Sequence, residues 1–247
     1  ENISLFIEKG DNGLTGNYYV GLHEFREMGF AIHLLKKEDV FVDVGANLGS
    51  YTLLASGICH CKTIAFEPID KTFNKLSKNI SINKLSNKVE LRKKAILSED
   101  EFKKNKKLIF SADRGCCNQV VNENYDGKKQ YVSVSTLDKE CQFLKPSLIK
   151  IDVESYEEKV LLGGLNILVQ ENLLALIVEG NSENVDRLLR SKGFVDFQYS
   201  PLKRKIRTQS NIEKLKLKRN WIWIRDSKIE FVKKRIKDAP IRTIFGA

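Results

Sequence analysis

The 247-residue chain predicts an α/β protein of Rossmann-like type: a doubly wound, mostly parallel, seven-stranded sheet with an antiparallel edge strand. Three observations carry that expectation. Short apolar β-type runs alternate with segments of helical periodicity through most of the length. The run Val40-Phe-Val-Asp-Val44 passes through a small-residue turn, Gly45-Ala46-Asn47, directly into a helical pattern near Leu48. Leu173-Leu-Ala-Leu-Ile-Val-Glu179 is apolar almost throughout, as a central strand covered on both faces must be.

Residues 1–17 hold several turn formers and read as a loosely held lead-in. Leu22, Phe25, Ile32 and Leu35 fall at helical spacing, so the first 36 residues form an N-terminal segment with one helix. The main domain spans 37–226. Its second strand is Thr63–Glu67, followed by a helix over 70–82 with Asp70 as N-cap, and by a third strand near Val89–Arg92. Between 98 and 138 the pattern loosens around Leu108-Ile-Phe110 and Tyr131–Thr136, an insert placed to shape a substrate pocket. Leu148–Asp152 is the fourth strand, followed by a helix over 154–162, the strand ending at Glu179, and a helix over 183–192. Two last strands follow, Phe194–Tyr199 and Trp221–Ile224. Residues 227–247 read as a basic tail.

Composition sets the outer limits. Hydrophobic content of 42% and charged content of 30% suit a globular domain, and no apolar run approaches the ~20 residues of a membrane span. Five cysteines without a C-x-x-C pair point to a reducing, cytoplasmic setting. Cys59-His60-Cys61 puts three ligand types too close together for a tetrahedral site, so no metal is expected there. The net charge is +10, and Lys203–Arg219 carries eight basic residues against Glu213. That segment suits an acidic glycan, a phosphorylated carrier, a membrane surface, nucleic acid, or only water. Oligomeric state is not legible.

The glycine turn decides the ligand. Its spacing is D-x-G-x-x-x-G, not the G-x-G-x-x-G of dinucleotide sites. Asp43 beside the turn would repel a pyrophosphate, whereas S-adenosylmethionine has no phosphate and carries two cationic centres. Glu67 ends the neighbouring strand, where a carboxylate reaches both ribose hydroxyls. The expected cofactor is therefore S-adenosylmethionine. Asp43 and the backbone of Gly45, Ala46 and Asn47 are assigned to its amino-acid end, with Gly49 letting the backbone approach. Glu67 takes the ribose and Ile69 covers the adenine. An NAD-dependent dehydrogenase is the weaker alternative, and a cofactor-binding protein without turnover is another.

Three stretches resemble the FkbM family of class I methyltransferases: Val42-Asp-Val-Gly-Ala-Asn-Leu-Gly-Ser-Tyr-Thr52, Ala65-Phe-Glu-Pro68 and Ile149-Lys-Ile-Asp-Val-Glu-Ser-Tyr-Glu157. Tyr19–Phe30 and Asn220–Asp226 fit as well, so the resemblance covers roughly residues 18 to 226. It implies S-adenosylmethionine-dependent O-methylation of a sugar, glycan or related hydroxylated metabolite. Ser155 stands where the family usually has glycine.

Methyl transfer to an alcohol needs the nucleophile held in line and its proton accepted. Asp152 and Glu154 are the catalytic candidates, since both lie where the fourth strand ends and strand alternation aims them the same way. Glu157, Glu179 and Asn118 are substrate-binding candidates, and His33 reads as a packed rather than catalytic histidine. The runner-up function is S-adenosylmethionine-dependent RNA methylation, prompted by the net charge. Nucleic acid is nevertheless disfavoured, because no N/D-P-P-aromatic loop follows the fourth strand and no Pro-Cys nucleophile is present.

Overall fold

The structure, a computed structural model, describes residues 3–8, 11, 14–104, 107–112, 119–180, 182–208 and 220–242. Residues 3–8 lead to helices Thr15–Val20 (α1) and Phe25–Leu34 (α2). Val40–Val44 (β1) runs through the glycine turn into Ser50–Leu53 (α3), which widens into a π-helical turn over Leu54–Ile58. Lys62–Phe66 (β2), Asp70–Ile82 (α4) and Val89–Arg92 (β3) follow. Ala95–Ile96 (β4), Glu99–Lys104 (α5), Lys107–Ser111 (β5) and Lys129–Ser135 (β6) build a side lobe, and Leu137–Cys141 (α6) returns to the sheet. The second half comprises Leu148–Ile151 (β7), Glu157–Leu162 (α7), Ala175–Glu179 (β8), Glu183–Ser191 (α8), Phe194–Ser200 (β9), Lys205–Thr208 (β10) and Asn220–Arg225 (β11). Helix Ile229–Lys237 comes last among the described elements.

The main sheet has the order β10-β9-β11-β8-β7-β1-β2-β3. The five strands from β3 to β8 are parallel, β11 runs antiparallel between β8 and β9, and β10 pairs antiparallel with β9. The seven expected strands are present, and β10 adds an eighth at the edge. Chain order reverses between β1 and β7, which makes their C-terminal ends the natural ligand crevice.

Period-two alternation sorts the core. Phe41, Leu148 and Ile177 face α2 and the C-terminal helix, with Phe30, Leu34 and Val232 against them. Val42, Val44, Ile149 and Ile151 face the other way, toward Val160, Val185 and Leu189 of α7 and α8. The side lobe is a separate three-stranded sheet, β4-β6-β5, with its own apolar cluster around Ile69, Leu97 and Val132.

Two terminal expectations change. The lead-in is pinned, not loose. Asn83 Oδ1 accepts from Ser4 N at 2.8 Å and Asn79 Oδ1 from Phe6 N at 2.6 Å, while Ile3 and Leu5 pack on the α4 cluster. The sequence conceals such pairing, because the partner asparagines lie more than 70 residues away. The supposed tail contains a packed helix in which Val232 and Ile236 are buried. Arg235 of that helix forms an ion pair with buried Asp39, and Asp39 Oδ1 also accepts from Ser147 Oγ at 2.7 Å.

Candidate active site

The turn after β1 is shaped by contact between chain segments. Gly45 has φ +81°, and a Cβ there would stand 1.8 Å from the Asp152 carbonyl oxygen. Gly49 has φ +98°, and its Cβ would meet Leu76 Cδ1 at 2.7 Å. Both glycines are therefore required by the protein's own packing and backbone. The expectation that Gly49 clears room for a ligand is corrected: it clears room for α4. Gly45 and Asn47 do line the crevice, whereas Ala46 is buried beside it with its N–H on Phe66 O.

Glu67 is the floor of that crevice. Its Oε2 accepts from Asn47 N at 3.0 Å and its Oε1 from Ile69 N at 2.9 Å, so the acid ties the ends of β1 and β2 together. Burial pushes its pKa up to about 7. Asp43 stands behind the turn, not in the crevice lining, and is 1% exposed. Its Oδ2 accepts from Thr52 Oγ1 at 2.6 Å, while its buried Oδ1 has no partner. Burial raises its pKa, against the pull of neighbouring Lys150.

The crevice encloses about 810 Å³, its open mouth included. Gly45, Asn47 and Glu67 form one end, and Ile69 faces Leu108, Phe110 and Val120 across it. The insert thus supplies an apolar wall to the same cleft that holds Glu67. Asn118 lies outside the described residues.

Beside the glycine turn, β7 stops at Ile151, one residue before Asp152, so strand alternation does not govern the residues of the turn. Glu154 and Ser155 both adopt left-handed backbone, φ 52° and 76°. The turn nonetheless brings Asp152 and Glu154 together into the cleft lining. Glu157 is turned inward, where its Oε1 accepts from Val153 N at 3.2 Å and Ser155 N at 3.3 Å. It holds the turn and is absent from the cleft wall, which replaces its expected contact with substrate.

Lys150 is the residue that sequence reasoning passed over. It pairs with Asp43 in the β1–β7 register, is 4% exposed, and donates to Asp152 Oδ2 at 2.7 Å. Burial opposes its charge, but Asp152 and Asp43 hold its pKa above the usual lysine value. Burial likewise works against the Asp152 charge, and Lys150 beside it keeps the carboxyl below its ordinary range. Glu179, at the end of β8, shares a hydrogen bond with Asp152, and burial together with that neighbour pushes it up to about 8. The two carboxyls titrate as a coupled pair, and the shared hydrogen bond favours a proton held between them. The signal for Lys150 was available: a lysine inside Leu148-Ile-Lys-Ile151 must find buried acids.

The polar network continues beyond the sheet. The Lys150 ammonium lies 4.8 Å from the Tyr51 ring centroid, and the Tyr51 hydroxyl donates to Glu24. Glu24 and His23 come from the corner between α1 and α2, and His23 lies within electrostatic reach of Asp152. His33, by contrast, bonds the Tyr199 hydroxyl at 2.6 Å, and burial pushes it down to about 4. Cys59 and Cys61 are buried with thiols raised by burial, and among the described residues no group of three ligating side chains surrounds a metal-sized space.

The donor set fits S-adenosylmethionine. A buried acid suits the ribose diol, the apolar walls suit a purine, and the orphaned Asp43 Oδ1 suits a cationic neighbour. An rRNA methylase from Streptococcus thermophilus overlays 80% of this chain and 91% of its own at TM-score 0.44 and 15% identity. TrmK from M. capricolum, bound to S-adenosylhomocysteine, overlays 80% of this chain and 66% of its own at TM-score 0.40 and 11% identity. Neither likeness carries a role to this chain. The hexuronic acid methyltransferase AglP of Haloferax volcanii is 26% identical over 153 residues, 61% of this chain and 60% of AglP. The chain thus matches well under two thirds of that relative's length. No described helix is long and apolar enough to cross a membrane. The Methyltransferase FkbM domain matches residues 43–195, from the acid before the glycine turn to the start of β9. That is more than half of the sequence, and the chain belongs to this family.

Proposed function

We propose that the protein transfers a methyl group from S-adenosylmethionine to a hydroxyl of a sugar, glycan or related metabolite. The carboxyl pair Asp152–Glu179 beside the cofactor cleft carries this reading. Bound S-adenosylmethionine supplies a methyl group made electrophilic by its sulfonium. Glu67 holds the ribose, Ile69 and the side-lobe wall hold the adenine, and Asp43 supports the amino-acid end from behind Gly45 and Asn47. Asp152 would accept a hydrogen bond from the acceptor hydroxyl and so orient its oxygen. Glu179 keeps its proton and donates to Asp152, which fixes the carboxylate's direction. Glu154 makes a second acceptor contact from the same turn.

A sugar acceptor is further supported by the relative that methylates a hexuronic acid. RNA has only the +10 charge behind it. The carboxylates at the cleft repel phosphate. The test offers methyl glycosides, neutral and uronic, together with S-adenosylmethionine, and measures S-adenosylhomocysteine release. Asp152→Asn is expected to lower turnover at least a hundredfold while leaving the cofactor Kd within threefold. Full turnover in that variant, or methylation of an RNA substrate alone, overturns the reading.

A further inference from the structure

A lysine in the middle of a covered strand needs a reason to be there, because an apolar residue would fill the space at lower cost. Every residue of β7 is buried, Lys150 included. Its Nζ donates to Asp152 Oδ2 at 2.7 Å and lies 4.8 Å from the Tyr51 ring centroid, with Asp43 beside it in register on β1. Of these four side chains Asp152 alone lines the cleft, where it remains 29% exposed.

The backbone of Asp152 is fixed as well. Its N–H donates to Val44 O at 3.0 Å, and its carbonyl oxygen rests over Gly45. The residue is thus held at both ends, by β1 through the main chain and by Lys150 through Oδ2. The carboxylate can turn only by breaking a buried, charge-assisted hydrogen bond. The other charged groups bearing on the pair are Asp43 from β1, Glu179 from β8, Glu154 and Glu157 from the turn and α7, and His23 and Glu24 from the α1–α2 corner. Among the described residues, Lys150 is the cation in direct contact with Asp152.

We propose that Lys150 is a positioning residue for methyl transfer: its ammonium, walled off from water, keeps the Asp152 carboxylate ionised and in one orientation toward the acceptor hydroxyl. This rests on the reading that Asp152 meets a hydroxyl acceptor. Lys150 itself is absent from the cleft wall, so its removal acts on the acceptor through Asp152.

The test uses the full chain at saturating S-adenosylmethionine, with the glycoside that gives most turnover, and follows kcat against pH. Lys150→Gln keeps a donor for Oδ2 and removes the charge, whereas Lys150→Met removes both. Both are expected to lose roughly 10- to 100-fold in kcat at neutral pH, the methionine variant more, as suits a lost hydrogen bond to a charged group. The acid limb of kcat should move upward by roughly 1–3 pH units, so that part of the loss is recovered on the alkaline side. A lysine that only braced the fold would cost activity at every pH alike. That outcome, or kcat of Lys150→Met within threefold of wild type, overturns the proposal. Carboxyl ¹³C titration of the wild-type protein needs neither a variant nor an acceptor. Asp152 is expected to titrate below the usual carboxylate range, and an ordinary or raised midpoint overturns the proposal. Wild-type silence with every glycoside counts against the acceptor class instead, and the titration then judges Lys150.

Discussion

Ser155 shows how one backbone angle explains a residue choice. At φ 76° a serine side chain crowds its own backbone, and glycine does not. A glycine at this place would meet a conformational need that serine meets only with strain. Ser155→Gly is expected to raise thermal stability by about 0.5–1 kcal/mol with turnover retained, read by calorimetry. Glu67→Gln takes away a carboxylate that accepts from Asn47 N and Ile69 N and that, on the proposed function, would accept from the ribose. S-adenosylmethionine affinity should fall roughly 10- to 100-fold by titration, from the ~1.5–3 kcal/mol of a hydrogen bond to a charged group. Glu67 was legible because an acid capping the strand next to a glycine turn has few other uses. Glu24 was not legible as a network residue: it joins through the Tyr51 hydroxyl, 27 residues on, and the Tyr51 ring meets the buried Lys150.

Among elements, the β1 turn and the β7 turn define the site together. Gly45→Ala adds a methyl group that overlaps the Asp152 carbonyl and forces φ +81° on an L-residue. Loss of both cofactor affinity and fold stability is expected, by about 3 kcal/mol or more in denaturant titration. The strand–turn–helix unit, the glycine spacing and the alternating runs made the order of elements readable. The starts of α2 and α7 were not, since side-chain bonds shape the turns before them. α7 begins at Glu157 because that side chain accepts from Val153 N and Ser155 N, a local bond that propensity does not register. The side lobe's strands were visible as apolar runs, but no sequence pattern told which cleft they would wall.

For the molecule as a whole, buried charge governs the response to pH and to truncation. Glu67 and Glu179 bind protons more tightly when folded, with pKa near 7 and 8, so each favours the folded state at low pH and loses that contribution as pH rises through those values. His33, depressed to about 4, acts in the opposite sense, but only below about pH 6.5. The ligand-free protein should therefore lose stability between pH 6.5 and 8, and Glu179→Gln should flatten the slope in denaturant midpoints. Arg235→Ala strands the buried Asp39 carboxylate and should cost about 3 kcal/mol, and deleting the chain from Ile229 onward should cost more, because Val232 and Ile236 leave the core with it. The +10 charge is partly internal hardware. Arg225 donates to the carbonyls of Leu173, Leu168 and Gln170, and Arg204 to those of Lys237 and Pro240, so these two cations hold the chain to itself.

The absence of a side chain at position 45 lets the carbonyl of Asp152 rest directly on that backbone. Donor platform and acceptor platform are thereby soldered at one point, and neither can slide to suit a taller or shallower guest. Which oxygen on a polyol is methylated then depends on what stands at that fixed height when the rest of the molecule leans on the rim. A change of regiochemistry should arise by recutting the rim at the side lobe, while the joint itself stays untouched.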